Sequence, residues 1–206
     1  PKDRTCEVCV CEIGIFEMRE EGLSEVANPS EILLAERAAG VSGSAIVCSV
    51  EGTRPLLVEI QALVSRSSFG YPQRLATGID AKRLSIIIAV LEKRCGHDLS
   101  GDDIFVNVVG GLRLDEPAVD LAVALAIVSS FRNRPIEGKT VAMGEIGLGG
   151  EVRPVSQVER RIAEARSLGF ERCLVARSNL KGLKKLEGME VVGVGGLEAA
   201  ENLAFE

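Results

Sequence analysis

Eight consecutive apolar residues, LAVALAIV at 121–128, constrain this chain more than any other feature. A helix built from them is apolar nearly all round and must be buried. Asp115, Glu116 and Pro117 stand just before the run. Proline suits a first helical turn, because the N–H it lacks would have had no partner there. The segment therefore reads as a helix with Asp115 as N-cap, Pro117 at the first position and an end near Ser130. The run is far shorter than the roughly 20 residues needed to cross a bilayer, so it asks for other protein layers around it.

The flanking sequence supplies them. Residues 44–50 and 55–64 read as strands joined at Glu51-Gly52-Thr53, a hairpin signal. Residues 80–94 read as a helix with Leu84, Ile87, Ile88 and Leu91 on one stripe, and with Ile86 and Val90 off it. A strand at 104–109, the apolar helix, a strand at 140–143, a helix at 156–168, strands at 172–176 and 190–194 and a helix at 197–203 follow. Before them, residues 13–18 suggest a short strand, and Ser30 suggests the N-cap of a helix over 31–37. The pattern is α/β, with a strand-rich first half.

Composition narrows the function. Of 206 residues, 46% are apolar and 26% charged, which excludes disorder over most of the length. Aromatic residues make up only 3%, so base stacking on exposed rings is poorly supported. The net charge is −6, yet residues 66–94 hold six cations against Asp80 and Glu92; that segment carries +4 and the remainder −10. A basic patch on an acidic body is compatible with this distribution. Cys48 and Cys173 sit in apolar strand-like runs and read as buried. The absence of a leader-like segment points to a reducing, cytoplasmic setting. Cys6, Cys9 and Cys11 form a single cluster, whereas a structural zinc site normally shows two spaced pairs. Both a metal site and an incidental Cys-rich segment remain open there, and we assign no metal.

The glycine stretches at 109–111 and 144–150 lack the Gly-Lys-Ser/Thr end of a nucleotide-binding loop, so ATP hydrolysis is not expected of this chain. The runs NVVGGLRLDEPAVD at 107–120 and GEIGLGGEVRPV at 144–155 resemble the proteolytic domain of Lon. By that resemblance the fold is the ribosomal protein S5 domain 2-like, Lon-protease-like α/β (α+β) fold. Matched motif to motif, the nucleophilic Ser falls on Ala118 and its Lys base on Glu159, so the domain lacks the catalytic pair.

A longer likeness runs through FEMREEGLSEVANPSE at 16–31, EGTRPLLVEIQALVS at 51–65, AVLEKR at 89–94, LDEPAVDLA at 114–122 and GEIGLGGEVR at 144–153. These segments resemble the RadA/Sms family of bacterial DNA repair proteins. The resemblance implies residues 1–12 as a Cys-rich junction and residues 13–206 as a Lon-protease-like domain. It places the family's zinc finger and RecA-like ATPase core, with their Zn, ATP and Mg, outside this chain. It also implies DNA repair and recombination with branch migration, duplex or branched DNA as ligand, a homo-hexamer, recombinase machinery as partner, no membrane, and a nucleoid-associated cytoplasmic location.

Candidate phosphate contacts are Arg74, Lys82 and Arg83, then Lys93, Arg94, Arg113 and Arg153. Lys82 and Lys93 are 11 residues apart, which on a helix returns to nearly one face about 16 Å along the axis. Arg74 is expected in a loop, and Asp120 is expected to bond backbone or an arginine such as Arg113. Two functions stay open: a non-peptidase DNA-binding and oligomerisation domain, or a protein-interaction scaffold whose DNA is handled elsewhere.

Overall fold

The computed structural model describes residues 16–19, 22–26, 28–38, 40–68, 70–184 and 187–205. Cys6, Cys9, Cys11, the junction at 1–12 and the start of the strand expected at 13–18 lie outside the described residues. The chain order is β1 (Phe16–Arg19), β2 (Gly22–Glu25), α1 (Pro29–Leu34), β3 (Ser44–Glu51), β4 (Arg54–Arg66), β5 (Arg74–Thr77), α2 (Ala81–Cys95) and β6 (Asp102–Val108). Then come α3 (Asp120–Phe131), β7 (Thr140–Ala142), β8 (Glu145–Ile146), β9 (Val152–Arg153), α4 (Val158–Ser167), β10 (Arg172–Ala176), β11 (Glu190–Val194) and α5 (Leu197–Ala204).

Seven strands form one mixed sheet in the order β11-β10-β7-β3-β4-β6-β5. The Gly52-Thr53 turn folds β3 back on β4, and Gly52 takes the left-handed φ of 62° that such a turn needs. β4 and β6 are also antiparallel, whereas β5/β6, β3/β7, β7/β10 and β10/β11 are parallel. The chain is thus α/β, as the alternation of its second half suggests. Two further two-stranded hairpins, β1-β2 and β8-β9, stand apart from the sheet.

α3 holds residues 121–128, each no more than 1% exposed. It packs on β3 and β4 and is flanked by α2 and α5. The α2 stripe of Leu84, Ile87, Ile88 and Leu91 faces inward, and Val90 is buried with it, leaving Ile86 as the exposed member of the apolar mid-section. α1 and α4 also lie on the β3–β4 region, joined by Ser30 Oγ donating to Glu164 Oε1 at 2.7 Å. Ala45, Ile46, Val47 and Cys48, which point alternately to the two faces of β3, are all 0–2% exposed. The two helix groups must therefore cover opposite faces of the sheet.

Two caps differ from expectation. Asn28, not Ser30, caps α1 by accepting from the Glu31 N–H, because Pro29 already occupies the first helical turn. Ser30 is instead buried and accepts from the Leu57 N–H. Likewise Pro117 begins a short 3-10 turn, Pro117–Val119, ahead of α3. Asp115 then bonds Arg113 at 2.9 Å rather than capping the helix.

Candidate nucleic-acid interface

The turn before α3 is fastened on two sides of Ala118. Two residues ahead, Glu116 accepts a pair of bonds from Arg161 of α4, at 2.7 and 2.6 Å. Arg161 is 1% exposed, and also donates to the Cys48 carbonyl at 2.6 Å and the Ser156 carbonyl at 2.9 Å. Burial pushes the Glu116 carboxyl up, but the Arg161 guanidinium outweighs it and holds the group below its ordinary range. Two residues after Ala118, Asp120 is fully buried and accepts from Arg83 of α2, with Nε to Oδ1 at 2.7 Å and Nη2 on Oδ2. The Ile146 N–H adds a bond to Asp120 Oδ2 at 2.9 Å. Burial pushes the Asp120 carboxyl up, with Arg83 and that N–H opposing, while Asp120 raises Arg83. The arginine partner of Asp120 is thus Arg83 and not Arg113.

Ala118 itself is 4% exposed. Its carbonyl accepts from the Gly144 N–H at 2.9 Å, and the Gly144 carbonyl accepts from the Leu121 N–H at 3.1 Å. Gly144 must be glycine for this approach, since a Cβ there would meet Val152 Cγ1 at 2.5 Å. Glu159 sits on the exposed side of α4, on an open groove of about 600 Å³ shared with Arg160, Asn179 and Lys181. Ala118 is not part of that groove's lining. Ala118 and Glu159, the positions expected from the Lon resemblance, therefore hold a buried methyl and a solvent-facing carboxylate, which form no nucleophile–base pair.

The candidate cations divide into free and tethered groups. Lys82 and Lys93 are exposed on α2 and, among the described residues, make no hydrogen bond or ion pair. Arg94 follows Lys93 and donates through Nε to the Leu148 carbonyl at 3.2 Å, which puts the end of α2 against the β8-β9 turn. On that hairpin Arg153 is half exposed and bonded to Glu151 at 2.7 Å, with Glu145 3.9 Å away. Glu145 is in turn 3.8 Å from Arg83, so charges alternate from buried Asp120 out to the surface at Glu151. Arg113 is exposed and paired with Asp115. Arg74 is the first residue of β5 rather than part of a loop tip, and lies 3.3 Å from the Leu99 carbonyl and 3.8 Å from Glu92. The structure thus gathers Lys82, Arg83, Lys93, Arg94 and Arg153 along α2 and its neighbouring hairpin, while Arg74 and Arg113 are tied locally near opposite ends of that helix.

Arg161 escaped the reading of the sequence. The available signal was its place on the inward stripe of α4 with Val158, Ile162 and Ala165, where an unpaired charge would not be tolerated. A second buried cluster also went unread: His97 Nε2 lies 3.0 Å from Glu201 of α5, which Arg132 also bonds at 2.8 Å. Among the described residues, no group of three or more His, Cys, Asp or Glu side chains is placed to hold a metal ion.

Residues 75–179, half of the chain, match the family described as subunit ChlI of Mg-chelatase. The stretch runs from β5 past β10 and includes α2, the turn at 116–120 and α4. The chain is 56% identical over 189 residues to the DNA repair protein RadA of Bacillus subtilis and 55% identical over 189 residues to that of Halalkalibacterium halodurans. Against the RadA protein of Listeria monocytogenes it is 53% identical over 183 residues. These alignments cover 92%, 92% and 89% of this chain but only 41%, 41% and 40% of the relatives. The chain thus spans about two fifths of the length of the curated relatives it matches.

Proposed function

Because the chain belongs to the family described as subunit ChlI of Mg-chelatase and is homologous to the bacterial DNA repair protein RadA, we propose that it is a DNA-holding, self-associating domain without peptidase activity. On this reading it is the C-terminal, Lon-protease-like part of a RadA-type protein, with the ribosomal protein S5 domain 2-like arrangement. It grips duplex or branched DNA while an ATPase elsewhere in the protein drives branch migration, and it works with recombinase machinery at the cytoplasmic nucleoid.

The observation that carries the DNA reading is the exposed pair Lys82 and Lys93 on one face of α2, free of partners among the described residues and backed by Arg94 and Arg153. Cations without an internal carboxylate are the ones that gain most from phosphate. The test is titration of duplex and junction DNA at several salt concentrations, with the chain and with Lys82→Glu/Lys93→Glu. Binding should weaken as salt rises, and the double variant should lower the salt slope by about two, roughly one per lost phosphate contact. Unchanged affinity in the variant, or affinity indifferent to salt, removes the proposal.

A second reading, a pure interaction or hexamerisation scaffold, is favoured by one specific observation: Arg74, Arg83, Arg113 and Arg153 each already face a carboxylate. Self-association without DNA binding selects it.

A further inference from the structure

Leu148 stands in the turn between β8 and β9 and is 70% exposed. A single surface leucine is ordinary, but the backbone that presents this one is unusually restrained. The Gly147 N–H donates to the Glu151 carbonyl at 3.0 Å and the Gly150 N–H to the Gly147 carbonyl at 2.9 Å, which closes the turn on itself. Glu151 folds its carboxylate back onto the turn, where Oε2 accepts from the Gly149 N–H at 3.0 Å. A Cβ on Gly147 or Gly149 would strike that carboxylate. Two other elements brace the turn from outside: Arg94 of α2 donates to the Leu148 carbonyl at 3.2 Å, and the Leu197 N–H of α5 donates to the Gly150 carbonyl at 2.8 Å. Leu148 belongs neither to the hydrophobic core nor to the side chains packed against it, and these bonds hold its backbone where it is.

We infer that Leu148 is a wedge: while Lys82 and Lys93 hold the backbone of a duplex arm, this side chain enters the base stack at the end of that arm and parts one step. The inference rests on the DNA binding in the proposed function and names the ligand more closely. It is DNA whose stack is already interrupted, at a junction or fork, rather than straight duplex.

Three observations support this role. The leucine lies where the lysine track stops: Arg94, which holds its carbonyl, is the residue after Lys93. The track from Lys82 to Lys93 is about 16 Å long, or about five base-pair steps of ~3.4 Å. Cations also flank the tip, with Arg94 on one side and half-exposed Arg153 on the hairpin itself. The carboxylates beside them are already engaged, Glu151 by Arg153 at 2.7 Å and by the Gly149 N–H, and Glu145 between Arg83 at 3.8 Å and Arg153 at 3.9 Å. Finally, the chemistry selects the DNA. An apolar side chain enters a stack only by unstacking it, and that cost is least where a base has already lost a neighbour. The same leucine therefore favours a junction and adds nothing on an intact helix.

A four-way junction and a straight duplex, each carrying 2-aminopurine at the central step, test it with the parent chain, Leu148→Ser and Leu148→Met. The position is largely exposed, and circular dichroism checks that both variants fold. At saturation the parent should raise the emission of the junction by about twofold or more, the mark of an unstacked base, and leave that of the duplex unchanged. Leu148→Ser should abolish the rise and weaken junction binding about tenfold, with duplex binding within about twofold of the parent. Leu148→Met keeps an apolar tip and should retain both. If Leu148→Ser unstacks the junction as the parent does, or weakens duplex and junction binding alike, the inference fails while DNA binding stands. A parent chain that binds neither DNA sinks the proposed function with it.

Discussion

Arg161 shows what one side chain does in this fold: a guanidinium with 1% exposure gives bonds to Glu116, the Cys48 carbonyl and the Ser156 carbonyl, and so ties α4, β3 and the turn before α3. Arg161→Ala leaves Glu116 and the Cys48 carbonyl without their partner and should destabilise the protein by roughly 3–5 kcal/mol in urea unfolding. Replacing both partners, as Glu116→Leu/Arg161→Met, should cost much less, because no orphaned charge remains. The pH dependence has a definite sign. The Glu116 carboxyl titrates below its ordinary 4.5 in the folded chain, so its stabilisation is complete above that pH and is lost as acid is added towards the folded value. Glu116→Gln should therefore flatten the stability profile below about pH 4.5 relative to the parent. Cysteine chemistry offers another check. Burial raises the Cys48 thiol to about 12 and raises Cys173 further, so neither should be alkylated at pH 8 in the folded chain. The burial of both thiols was legible from their apolar neighbours. The Arg161 network was not, because its partners lie 45 and 113 residues away and no local pattern joins them.

At the scale of elements, α3 is the pivot. Leu125 is fully buried, so Leu125→Ala should cost roughly 2–5 kcal/mol in thermal or urea melts. The helix was readable because eight apolar residues in a row admit no solvent face. α2 was readable because its ends are punctuated: Asp80 accepts from the Arg83 N–H at 2.9 Å, and Gly96 closes the helix at φ 73°. β10 and β11 coincide with the expected 172–176 and 190–194, where short apolar runs are bounded by charged or glycine residues. The caps of α1 and the start of α3 were misread in one respect alike: proline opens the first turn in both. Ser30 is then drawn into a tertiary bond from the Leu57 N–H, and Asp115 into a local one from Arg113 two residues earlier.

Across the whole molecule, Ala118 and Glu159, the two positions singled out by the Lon resemblance, lie in different surroundings. Ala118 is buried and bonded to Gly144, with arginine–carboxylate pairs at Glu116 and Asp120 on either side in sequence, and Glu159 opens on a groove that Ala118 does not line. Ala118→Ser alone should therefore gain no labelling by a fluorophosphonate probe; a stoichiometric adduct would contradict the structure. The sequence motifs name both positions, but the different surroundings they face depend on the packing of α4 and are not legible there. The central place of β3 carries one more consequence. Its neighbour on one side, β4, follows after a two-residue turn, but its neighbour on the other, β7, begins at residue 140, and the two meet at Ile46 and Val141. At a ribosomal pace of about 5–20 residues per second, that second edge waits roughly 5–20 s for its mate. For this interval the nascent polypeptide holds an open strand beside a half-emerged oily helix, which makes this the stage at which chaperone capture and misassembly would compete with completion of the fold.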